Sequence, residues 1–201
     1  MHAFEINSSL AAPVLARLAP FGERAVVHAF GLGDRAGTVE IFVDPTDSTP
    51  TSVLPFTSHN EPSQAGPRAC ERHKAEIATG DGVLAEAGID NVDLLKIDVE
   101  GSEGAVLDGF AQALAAAKVR IIQFDYGRVN LRTGTTLKWF YDPLVPLGFR
   151  IGKLYPEGVA FKEYSNDDED VLGPNCVACH TGWPEAIEAL RCPLPNWQTA
   201  V

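Results

Sequence analysis

The stretch Val92-Asp93-Leu94-Leu95-Lys96-Ile97-Asp98 constrains this chain more than any other. It is the clearest strand in the sequence. It stops in Val99-Glu100-Gly101-Ser102-Glu103, an acidic turn containing a glycine. Leu107, Phe110, Ala111 and Leu114 then recur at i, i+3, i+4 and i+7, which is one apolar face of a helix. Val119-Arg120-Ile121-Ile122-Gln123-Phe124 is a further strand, ending at Asp125-Tyr126-Gly127. Strands that alternate with helices predict an α/β sheet with helices on both faces.

The remaining segments fit the same class. His2-Ala3-Phe4-Glu5 reads as the end of a strand. Asn7, Ser8 and Ser9 are helix-start residues, predicting a short helix over 12–18 with Pro13 in its first turn. Residues 25–30 form a compact apolar run, read as a buried strand, and 38–43 alternate as a second one. Between them, 31–37 is a turn-rich connector. Residues 44–68 carry five prolines among Ser and Thr and predict a long surface loop. An edge strand over 72–79 and a short helix over 82–88 follow. Later, a helix over 136–141 should stop at Asp142-Pro143. Strands are expected over 149–155 and 175–180, antiparallel because no helical pattern separates them. The acidic segment 166–170 lies between them, as solvated surface or as part of a pocket wall. The expected organisation is one domain over 1–181 and a tail of short helix and coil over 182–201.

Composition narrows the partners. Sixteen Lys and Arg against 27 Asp and Glu give a net charge of -11. Such a surface repels phosphate backbones and anionic lipids, so neither nucleic acid nor membrane is an expected partner. Residues 1–20 show no basic start followed by an apolar core, so a cytoplasmic setting with reduced thiols is expected. Cys176-Val177-Ala178-Cys179-His180 matches the spacing of covalent haem attachment. Attachment needs a turn into a helix, however, and this segment reads as a strand. A structural strand with incidental thiols is the expectation; haem, zinc and a redox pair are the alternatives, and no metal site is assigned.

Acids stand at three strand ends: Glu5, Asp98 with Glu100, and Asp125. Ligands of open α/β sheets bind beyond the carboxyl ends of strands, so these residues are candidates for a site. The plain alternative is that they cap helices and satisfy exposed backbone donors. Lys96, inside the strand, is read as an alkyl stem packed across the sheet with its amine at the rim. His28 is read as structural, and His59 as a solvated loop residue or a base.

Leu94-Leu95-Lys96-Ile97-Asp98-Val99-Glu100-Gly101-Ser102-Glu103, followed by Val106-Leu107-Asp108-Gly109, resembles the signature of FkbM-family methyltransferases. Ile122-Gln123-Phe124-Asp125-Tyr126-Gly127 is similar too, with Asp125 where the family usually has Glu. His2-Ala3-Phe4-Glu5, the 31–37 turn and the two late strands extend the resemblance to about residue 180. It implies a class I methyltransferase fold: a Rossmann-like, mostly parallel sheet with an antiparallel last strand. It also implies S-adenosylmethionine as cofactor and methyl transfer to a hydroxyl of a small molecule or sugar. By resemblance Glu5 binds the ribose hydroxyls, since a carboxylate accepts two hydrogen bonds from a cis-diol. The resemblance also implies a place for Asp34 near the adenine edge. Asp98 and Glu100 sit beside the methionine moiety or the acceptor, holding the ammonium group or taking the acceptor's proton.

The family's first strand and its glycine-rich loop precede the strand matched by His2 to Glu5, and Met1 stands directly before that strand. The chain is therefore expected to lack the first strand and to be a fragment of a longer protein. That leaves open whether it is active as written. The competing reading is a non-catalytic binding or interaction domain on the same fold.

Overall fold

The computed structural model describes residues 1–44, 51–53, 71–171 and 175–193. Two compact units emerge, one from residues 1–87 with 105–110, the other from 88–104 with 111–201. His59 and Cys70, and most of the 44–68 loop, lie outside the described residues.

In the first unit, β1 (His2–Phe4) pairs in parallel with β2 (Val26–His28), across the helix α1 (Ser8–Leu18). Asn7 caps α1 by accepting from Ser9 N, so the helix starts four residues earlier than the sequence suggests and Pro13 falls inside it. The expected buried strand over 25–30 shrinks to three residues, with Val26 42% exposed. Among the described residues β2 has a partner on one edge only, so its apolar content is not enclosed. A second sheet has the order β3 (Gly31–Leu32), β6 (Glu71–Ala78), β4 (Gly37–Val43), β5 (Thr51–Ser52). The 72–79 segment is thus an interior strand, not an edge. Its charged residues report that its faces are wet, which says nothing about its ladder partners. Ile41, Val43 and Ala75 form the core here, with Ile6, Val39 and Val53 packed against them. The helix α2 (Gly80–Ala87) closes this stretch.

The second unit begins with β7 (Val92–Ile97). The single helix expected next is two, α3 (Glu103–Gly109) and α4 (Ala111–Ala115), broken at Phe110. α3 starts in the second unit and continues in the first, where Gly109 passes so close to Gly33 O that any Cβ would collide with it. Then come β8 (Val119–Phe124), α5 (Asn130–Thr133), α6 (Leu137–Leu144), β9 (Phe149–Tyr155), β10 (Gly158–Phe161), β11 (Cys176–His180) and α7 (Pro184–Leu190). α6 does not stop at Asp142; Pro143 is accommodated in its last turn.

The strand order in this unit is β10-β9-β11-β8-β7. β7 and β8 are parallel, and β11 runs antiparallel between β8 and β9, as expected for the late strands. Taken together, the described strands make a mixed α/β fold with three sheets, in which five ladders are antiparallel and three parallel. The expectation of one mostly parallel sheet is corrected accordingly. Short links, such as the two residues between β9 and β10, allow only antiparallel return. Phe124 and Phe140 stack at 4.4 Å in the core, both fully enclosed with Ile122 and Val119. Each such side chain contributes about 1.5–3 kcal/mol on burial.

Candidate active site

The carboxyl ends of β7 and β8 build the site. Ile97 anchors the end of β7 at 2% exposure, and Asp125 N donates to Ile97 O at 3.3 Å, locking the two strand ends together. Beyond Ile97 the chain reverses through Glu100 (φ 52°) and Gly101 (φ 100°), two successive left-handed residues. Glycine takes that conformation freely, whereas for Glu100 it is strained and must be held. Glu103 holds it. This side chain is 1% exposed, and its Oε1 accepts from Gly101 N at 3.1 Å and Val99 N at 3.3 Å. Its Oε2 is buried without a hydrogen-bond partner among the described residues.

Asp98, Glu100 and Asp125 gather around this turn. Asp98 Oδ2 lies 2.6 Å from Lys96 Nζ. Both groups are half exposed, so the Lys96 amine reaches the rim as expected but serves the site by partnering Asp98. Asp125 Oδ1 accepts from Asn175 Nδ2 at 3.0 Å, and Asn175 Oδ1 accepts from Gln123 Nε2 at 2.8 Å. Gly127 N donates to Asn130 Oδ1 at 2.9 Å, and the Nδ2 of this fully buried asparagine has no partner among the described residues.

These carboxyls feel one another. Burial raises the Glu100 pKa, and the charges of Asp98, Asp125 and Glu103 raise it further. Burial also raises Asp125, with Asp98 adding to the shift and Lys96 opposing it. Glu103 is raised by burial against the pull of its backbone donors. Such a cluster favours a cationic ligand, and it makes its carboxylates stronger bases than they are in water.

Glu5 and Asp34 belong to the first unit. Glu5 ends β1 and uses Oε1 to accept from Asn7 N at 2.7 Å, a capping role at the entry to α1. Asp34 is exposed, 3.5 Å from Arg35.

A model of the methyltransferase FkbM domain matches residues 2–141. The chain belongs to the FkbM methyltransferase family. No curated protein matches it. Among solved structures it is similar to the methyltransferase FkbM from Methylobacillus flagellatus KT, at 18% identity and a TM-score of 0.47. The match covers 89% of this chain and 36% of that one, so the chain spans little more than a third of that relative's length.

All four residues assigned from the FkbM resemblance, Glu5, Asp34, Asp98 and Glu100, fall inside the matched region. Sequence reasoning missed three residues of this candidate site: Glu103, Asn130 and Asn175. Glu103 carried a signal, an acid in the first turn of a helix, but its burial did not show. Asn175 lies 50 residues from Asp125, and only the β11–β8 ladder brings them together.

Two other readings meet their structural answer here. Cys176 and Cys179 lie in a strand, 1% and 0% exposed. At a spacing of three they face opposite sides of the sheet and cannot attach one haem. Burial pushes the Cys176 thiol up to about 12, so it is inert as a nucleophile. The acidic segment 166–170 is not simply solvated. Asp168 completes a capping box with Ser165 and pairs with Lys162 at 2.8 Å, and Asp170 pairs with Lys153 at 2.6 Å. Glu169 accepts from Leu137 N, Lys138 N, Tyr164 and Tyr126, tying the segment to the start of α6. Among the described residues no helix is long and apolar enough to cross a membrane, and no group of His, Cys, Asp and Glu is arranged to hold a metal.

Proposed function

We propose that this domain is an S-adenosylmethionine-dependent O-methyltransferase acting on a hydroxyl of a small molecule or sugar. The observation that carries this reading is the convergence of Asp98, Glu100 and Asp125 on a strained turn, over a buried Glu103 with one unpartnered oxygen. The donor set fits the cofactor, which bears two cationic centres. When bound, S-adenosylmethionine supplies a methyl group on a sulfonium sulfur for direct displacement by the acceptor oxygen.

Asp98, oriented by Lys96, is the residue proposed to hold the ammonium group. Glu100 is the proposed general base, because its raised pKa strengthens its hold on a proton from the acceptor hydroxyl. Glu5 spends one oxygen on Asn7 and keeps the other for a ribose hydroxyl. Asp34 is proposed at the adenine edge. The partner is a small, hydroxylated acceptor, which the net charge of -11 does not repel as it would nucleic acid or anionic lipid. The proposed setting of the reaction is the cytoplasm. Most of the catalysis comes from aligning oxygen, methyl and sulfur.

Calorimetry with S-adenosylmethionine tests the reading. Binding should weaken in Glu5→Ala. Glu100→Gln should keep binding but lower transfer of labelled methyl groups by about 100-fold. No heat of binding, from this chain or from a form extended at its N-terminus, would refute the proposal.

A further inference from the structure

One face of the second unit's sheet carries a polar row at the carboxyl ends of β7 and β8. In the β7–β8 ladder Lys96 is level with Gln123 and Ile97 with Phe124, so the next step sets Asp98 level with Asp125. In the β8–β11 ladder Val177 stands opposite Gln123 and Cys176 opposite Phe124, so Asn175 stands opposite Asp125. Side chains alternate along a strand, which puts Lys96, Asp98, Gln123, Asp125 and Asn175 on one face. The bonds among them agree. Lys96 Nζ donates to Asp98 Oδ2 at 2.6 Å, Asn175 Nδ2 to Asp125 Oδ1 at 3.0 Å, and Gln123 Nε2 to Asn175 Oδ1 at 2.8 Å.

Asp98 and Asp125 are therefore carboxylates on neighbouring strand ends, about 4.8 Å apart in backbone. Their partners differ: Asp98 has a cation against one oxygen, whereas Asp125 Oδ1 has a neutral amide. The other oxygen of Asp125, Oδ2, lies beside Gly127, where a β-carbon would come within 3.4 Å of it. With no side chain at 127, Oδ2 stays uncovered on that side. With Lys96, the two carboxylates carry one negative charge in excess. Burial raises the Asp125 pKa and Asp98 adds to it, against Lys96 and the Tyr126 backbone amide, as expected of a carboxylate short of a counter-charge. A primary ammonium brings three N–H donors and one positive charge. It can bond Asp98 Oδ1 and Asp125 Oδ2 together and cancel the excess. A hydroxyl brings one donor and no charge.

We propose that Asp125 is a second contact, beside Asp98, for the ammonium group of the ligand, and that Asn175 and Gln123 are its positioning residues. This inference rests on the S-adenosylmethionine reading. Asn175 takes Oδ1 of Asp125, and Gln123 takes the oxygen of Asn175, so the carboxylate is fixed before the ligand arrives and Oδ2 is left to it. If these three side chains only tied β8 to β11, their loss would lower stability with no selectivity for the ammonium.

Calorimetric titration with S-adenosylmethionine and its deaminated analogue, in which hydrogen replaces the α-ammonium, tests it. Both compounds keep the sulfonium, so the general attraction of the acidic cluster for a cation drops out of the comparison. The native chain should prefer S-adenosylmethionine by about 100-fold, tenfold for each carboxylate. Asp125→Asn keeps an oxygen for Asn175 and should cut the preference to about tenfold, and Asn175→Leu should cut it to about thirtyfold. The affinity of the analogue should stay at the native level in both variants. Equal binding of the two compounds by the native chain, an unchanged preference in Asp125→Asn, or an equal loss of both compounds in Asn175→Leu would overturn this inference and leave the methyltransferase reading standing. No heat with either compound, from this chain or from a form extended at its N-terminus, would overturn both.

Discussion

Replacing Glu103 separates its two roles, a brace for the turn and a buried charge. Its Oε1 is the acceptor for Val99 N and Gly101 N, and the whole side chain is enclosed. In Glu103→Ala both amides lose that acceptor, at about 1 kcal/mol each, and one buried methylene is lost at about 0.8 kcal/mol. Relief from burying a carboxylate offsets part of this, leaving a net loss of about 2 kcal/mol. Glu103→Gln retains an oxygen for the two amides and removes the charge, so at neutral pH it should be at least as stable as the native chain.

The pH dependence has a definite sign. Burial raises the Glu103 pKa above its ordinary 4.5, so the folded state binds this proton more tightly than the unfolded chain. The resulting stability is fully present below 4.5 and is lost as pH rises through the higher folded value. The stability difference between the Glu103→Gln variant and the native protein should therefore move in favour of the variant as pH rises above 4.5. Urea unfolding at a series of pH values measures this, with fluorescence of Trp139 as reporter, since its ring lies against Gly104. A pH-independent difference, or a loss in Glu103→Gln as large as in Glu103→Ala, would refute the reasoning.

Two further predictions concern other titrating groups. Burial raises the Glu169 pKa, but its donors, Tyr126, Leu137 N, Lys138 N and Tyr164, outweigh that and lower it overall. Its contribution is present above the ordinary 4.5 and lost on acidification through the lower folded value, and Glu169→Ala should cost about 2–3 kcal/mol in urea unfolding at neutral pH. In the first unit, His2 Nδ1 and His28 Nε2 meet at 2.9 Å, with ring planes within 14° and centroids 5.2 Å apart, a head-to-head hydrogen bond. Burial, then His2, lowers the His28 pKa against the opposing pull of Glu86, so stability present above 6.5 is lost as pH falls through the lower value. Chemical-shift titration of His28 should give a midpoint below 6.5, and a midpoint at or above it would contradict this geometry.

Some of the site was legible because its signals are local. The apolar run of β7, the acids at strand ends and the glycine of the turn are all readable from neighbours in sequence. β10 also left a signal, Pro156-Glu157-Gly158 between apolar runs, which marks a tight turn between strands. The brace was not legible, because an acid at a helix start is ordinary on the surface and only packing buries it. The place of β6 inside its sheet was hidden for a related reason: its side chains describe the exposure of two faces, while its hydrogen bonds run along the third direction.

By itself, the order of residues determined the α/β class, the family resemblance, and the residues Asp98, Glu100 and Asp125 at two strand ends. These follow from period, composition and short-range turn chemistry, which act over a few residues. Tertiary structure decided which strands meet, how Asn175 reaches Asp125, and that Glu103 is enclosed beneath the turn. The physical reason is that burial and cross-strand register depend on partners distant in sequence, and burial changes what a carboxylate does.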